Sequence, residues 1–151
     1  MPAVSALLCD PAFSLSLELP DLGRPDVVEH WEDAESAVLR LRYEFVGSLD
    51  PIAHRLIGSD RLAWIQEMRV DRSAGTGALT FEAEKDPKRL HGAAEFVLTT
   101  DGSGCVRRLD GELVVAVPAL GRMAERRIVP GLLRRLDIEA EALDDRLQQG
   151  G

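Results

Sequence analysis

From Leu39 to Val117 the chain alternates apolar with polar residues again and again, then passes through Val117-Pro118-Ala119-Leu120-Gly121 into one long amphipathic helix. Alternation at period two marks a strand with one dry and one wet face, and an apolar helical stripe needs a surface to cover. About five such strands followed by one closing helix constrain the chain to an α+β fold, a curved antiparallel sheet wrapped on its last helix.

The individual runs are easily followed. Leu39, Leu41, Tyr43 and Phe45 alternate with Arg40, Arg42 and Glu44; Leu62, Trp64, Gln66, Met68 and Val70 share the dry face of the next strand. Leu79, Phe81 and Ala83 form a third run, Ala94, Phe96 and Leu98 a fourth, and Leu109 to Val117 the longest. Turn residues separate them at Ser73 to Gly77, Asp86-Pro87-Lys88-Arg89 and Asp101-Gly102-Ser103-Gly104. Ahead of these, Val27 to Trp31 reads as a first strand and Asp10-Pro11 opens a short helix to about Leu19, since Asp caps free N–H groups and proline suits the first helical turn. A similar signal at Gly47 to Pro51 predicts a helix of one or two turns carrying Ile52, Ala53, Leu56 and Ile57 on one face.

In the closing helix Leu120, Ala124, Ile128, Leu132, Leu136 and Ala140 step by four, with Val129, Leu133, Leu143 and Leu147 widening the stripe. Pro130 interrupts this pattern and is expected to kink the helix or divide it in two. Arg122 and Arg126 fall opposite the stripe, on a face expected to be solvated. Arginines crowd the start of the helix and acids its end, the reverse of what the helix dipole favours.

The chain's 151 residues, 45 % hydrophobic and 29 % charged, fit one domain over residues 1–147 with a disordered tail at 148–151. A net charge of −8 opposes attraction to phosphate backbones and makes nucleic acid an unexpected partner. The sequence has no run long and apolar enough for a membrane helix and no secretory leader at Met1 to Ala12, so a cytoplasmic location is expected. Cys9 and Cys105 have no metal or redox spacing and read as reduced thiols. His30, His54 and His91 lack ligand spacing, and no nucleophile, metal or dinucleotide motif occurs, so no cofactor, metal or catalytic residue is nominated.

The run from Asp110 to Glu125, together with the strand order from Val27 onward, resembles the actinobacterial DUF2505 group within the START-like (SRPBCC, Bet v 1-like) helix-grip superfamily. The resemblance covers residues 10 to 147. It implies a cavity between sheet and C-terminal helix that binds or carries a hydrophobic small molecule, lipid or polyketide-like, without chemistry. The ligand-binding residues it suggests are Tyr43, Phe45, Trp64, Gln66, Met68, Phe81, Phe96, Leu132 and Leu136. Tyr43 would orient a ligand or serve the core alone, and Gln66 would meet a ligand or water or bond backbone at a bulge. Two other readings stand beside this one: a polyketide cyclase or hydratase-like enzyme, and an interaction module with no cavity. In one respect the chain departs from the pattern. Helix-grip proteins usually open with a strand and two short helices, and Met1 to Cys9 leave no room for both strand and first helix. A missing first strand would leave a sheet edge exposed, which favours a homodimer.

Overall fold

The computed structural model describes residues 1–48, 51, 54 and 61–150. Two short helices, α1 (Pro2–Leu8) and α2 (Pro11–Ser16), precede the sheet. The strands are β1 (Asp26–Glu32), β2 (Ser36–Glu44), β3 (Ala63–Asp71), β4 (Thr76–Ala83), β5 (Leu90–Asp101) and β6 (Gly104–Val115), and α3 (Gly121–Gln149) follows. The six strands lie in sequential order, each antiparallel to the next, so β1 and β6 are the edges. This is the expected α+β helix-grip arrangement. Ile52, Ala53, Leu56 and Ile57, expected to form the apolar face of a short helix, lie outside the described residues.

Local chemistry explains most boundaries. Asp10 caps α2, its side chain accepting from the Ala12 N–H at 2.9 Å. Asp33 makes the β1–β2 turn by accepting from the Glu35 and Ser36 N–H groups, and those bonds hold its carboxyl below the usual range. Asp71 does the same for Ser73 and Ala74 before β4. Ala119 adopts φ 64°, the left-handed region that turns β6 into α3 and that an alanine enters only at a cost of about 1–2 kcal/mol.

Three elements differ from the sequence reading. Residues at the start form a helix, α1, which has no side-chain cap but buries Val4, Ser5 and Leu8; packing, not local signal, supports it. Helix α2 stops at Ser16 rather than near Leu19 because Leu17 is already extended. Pro130 does not divide α3, which runs unbroken for 29 residues and includes Gln148 and Gln149.

The inward face of α3 also departs from steps of four. Ala124, Ile128 and Leu132 face the protein as expected, but Arg135, Glu139 and Leu143 continue the line while Ala140 and Leu133 are exposed. A helix of 3.6 residues per turn needs an occasional step of three, taken here from Leu132 to Arg135.

The core gathers Val4, Leu8 and Phe13 from the short helices, Leu39, Leu41, Tyr43, Met68, Phe96 and Leu98 from the strands, and Leu143 from α3. The opposite sheet face carries ion pairs such as Arg42–Glu84 at 2.8 Å and Arg40–Glu67 at 3.5 Å. These exposed pairs contribute little each. No described helix is long and apolar enough to cross a membrane.

Candidate functional site

Toward the start of α3 the core gives way to a cavity of about 940 Å³. Its apolar walls include Phe45, Leu62, Trp64 and Phe81 from the sheet side and Ile128 and Leu132 from α3. The size falls within the range of small-molecule pockets.

Several local features hold the chamber open. Leu19 to Leu22 form one side, and this loop is pinned to the end of β2 by the Leu22–Phe45 bridge and by the Val46 N–H donating to the Asp21 carbonyl at 2.8 Å. Phe81 lies opposite Gly92 on β5, where any Cβ would collide with its ring. On the helix, Gly131 faces the chamber, and a Cβ there would meet nothing within 4 Å.

Behind the chamber a polar layer separates it from the core. Trp64 stacks on Tyr43 with ring centroids 5.7 Å apart, and the Arg135 guanidinium lies 4.3 Å over the same Tyr43 ring. Burial pushes the Tyr43 phenol up, with the Arg135 charge opposing it. Glu139 meets Arg107 of β6 at 2.6 Å, both side chains almost out of solvent, and Arg107 lies 5.8 Å from the centre of the Phe96 ring. Arg107 Nη1 and Glu139 Oε1 have no aligned hydrogen-bond partner, so this contact is an ion pair without good hydrogen-bond geometry. Breaking it would strand a buried charge.

At the mouth, Arg61 and Arg42 hold the Glu44 carboxyl below its usual range, Arg61 at 2.7 Å contributing most. Such a carboxylate is a poor acid near neutral pH.

Of the residues nominated from the sequence, Phe45, Trp64, Phe81 and Leu132 line the chamber together. Tyr43, Met68 and Phe96 lie in the core and Gln66 is buried beside it, all outside the chamber's lining. Leu136 is half-buried on α3 and also outside the lining. The dividing factor is position along each strand, because the far ends are covered by α1 and α2. Arg135, the Leu19–Leu22 loop and the Arg107–Glu139 pair were missed. Counting 3.6 residues per turn from Ala124 would have put Arg135 and Glu139 on the inward face.

Comparisons with known proteins agree with this architecture. The family described as protein of unknown function (DUF2505) matches residues 4–147. A crystal structure of TTHA0849 from Thermus thermophilus superposes with a TM-score of 0.62 at 15 % identity, covering 99 % of this chain and 91 % of that one. The Zhui aromatase/cyclase from Streptomyces sp. R1128 superposes with a TM-score of 0.59 at 13 % identity, covering 98 % and 86 %. At such identities the likeness is one of fold. No curated protein matches the sequence.

Proposed function

The chain belongs to the DUF2505 family, and from that premise and its chamber we propose that it binds and carries a hydrophobic small molecule without changing it. The observation that carries the reading is the 940 Å³ chamber walled by Phe45, Trp64, Phe81 and Leu132. Transfer of apolar ligand surface from water into that space supplies affinity at roughly 25 cal/mol per Å².

The competing reading, a cyclase- or hydratase-like enzyme, draws on the fold shared with the Zhui protein. It needs an acid or base poised inside the chamber. Glu44, among the chamber's described residues, has its carboxyl held down by Arg61 and Arg42, and a carboxylate so held is a poor general acid, which supports binding over catalysis. A second protomer pairing along β1 or β6 is the other partner proposed, and light scattering over a range of concentrations decides it.

Titration with Nile red, a neutral dye that brightens in apolar surroundings, tests the reading. Saturable one-to-one binding is expected, and Gly131→Trp, which fills the chamber from the helix, should abolish it. Absence of saturable binding, or a Gly131→Trp protein that binds unchanged, would overturn the proposal.

A further inference from the structure

The chamber's charges run against those of the chain. The whole sequence carries a net charge of −8, yet the residues described along the chamber include seven with cationic side chains and four with carboxylates. The Arg42, Glu44 and Glu84 groups among them pair on the outer face of the sheet. Two of those carboxylates, Glu44 and Glu84, are already paired with Arg61 and Arg42. The other two, Asp21 and Asp86, are exposed. By contrast Arg89, Arg134 and Arg135 make no ion pair with any carboxylate of the described residues.

Arg135 is the most constrained of these three. It projects from the inward face of α3, is half-buried, and has its guanidinium stacked on the sealed Tyr43 ring. Stacking fixes the plane of the group, so less side-chain freedom is lost when it binds a planar anion. A partly desolvated cation facing an apolar space attracts an anion more strongly than one in water. Arg134 and Arg89 add positive charge at the rim.

We propose that the ligand is an amphipathic anion, its apolar body in the chamber and its carboxylate or phosphate held by Arg135. This deepens the carrier reading and rests on it. Arg89 and Arg134 draw the anion in, and Arg135 receives it.

Displacement of Nile red by lauric acid, lauryl phosphate and lauryl alcohol isolates the anionic group, since the three share one alkyl chain. The acid or the phosphate should displace the dye at roughly tenfold lower concentration than the alcohol, the worth of one charge-assisted contact. Whichever anion does so identifies the headgroup. The preference should weaken with added salt, vanish in Arg135→Gln, and survive in Arg122→Gln, which changes an exposed residue outside the lining. Should Arg135→Gln lose its helical circular dichroism, the Arg89→Gln/Arg134→Gln double variant replaces it, with a smaller loss expected. Equal displacement by acid, phosphate and alcohol overturns the anion proposal and leaves the carrier reading standing. So does a preference unchanged in both variants. No displacement by any of the three, with no Nile red binding, removes both.

Discussion

Phe81 and Phe96 lie across the same two strands, each opposite a glycine of the neighbouring strand, and their surroundings differ. Phe96 sits against Gly77 and is 1 % exposed, in the core with Tyr43, Met68, Leu98 and Leu143; Phe81 sits against Gly92 and fronts the chamber. Their side-chain chemistry and strand parity are alike. What differs is the cover: α1, α2 and the end of α3 fill one half of the molecule, whereas the other half is roofed by a stretch of α3 containing Ala124 and Gly131. Hollow space therefore arises from what is withheld above the sheet, and Arg135, Tyr43 and the Arg107–Glu139 pair mark the boundary.

The sharpest way to break this comparison is to truncate both rings. Phe96→Ala should cost about 3–5 kcal/mol in urea unfolding, as removal of a sealed core ring does, and Phe81→Ala less than about 2 kcal/mol, because its chamber side has few contacts to lose. Equal losses would erase the distinction between the halves.

Alkaline pH offers a second test confined to the filled half. Burial pushes the Cys9 thiol from 9.0 up to about 12. Below pH 9 the thiol is protonated in both states and its contribution is fully present; as pH rises toward about 12 the unfolded chain loses the proton first, and stability falls. The slope should reach at most about 1.4 kcal/mol per pH unit from this group. Cys9→Ala should flatten it, as read from urea midpoints on either side of pH 9. A slope unchanged in that variant assigns the loss to other groups, the buried Tyr43 phenol first among them.

The smallest expected effect is a gain. Gly131→Ala should stabilise the protein by up to about 1 kcal/mol in thermal melts, because alanine favours the helix and its methyl meets nothing within 4 Å. A loss would mean that the roof packs more tightly than its geometry indicates.

The sheet was legible because period-two alternation survives local variation. Tyr43, Trp64, Phe81 and Phe96 were placed on the dry face, and the pairings Gln66↔Phe81 and Phe81↔Gly92 follow from the turns readable at Ser73 to Gly77 and at Asp86 to Arg89. The division into filled and hollow halves was not legible. Parity tells which face a side chain takes and is silent on what lies above it. The helix was misread for a related reason: steps of four through apolar residues led to Leu136 and Ala140, when helical geometry turns Arg135 and Glu139 inward. Charged residues at such positions defeat hydrophobic patterning. Helix α1 was invisible because it lacks a side-chain cap and owes its stability to Val4 and Leu8 in the core.

The way α3 is fastened has a mechanical consequence. Near its start, Gly121 lies so close to Val115 that a Cβ would strike the carbonyl, and Glu125 Oε1 accepts from the Val115 N–H at 3.1 Å. Further along, Leu143 and the Glu139–Arg107 contact seat it again. Between these piers the helix spans the void for about 20 Å, a beam supported at both ends. Near mid-span stands Pro130-Gly131, where one rung of the hydrogen-bond ladder is missing. Under a load from below, that joint is where the ladder offers least resistance to bending.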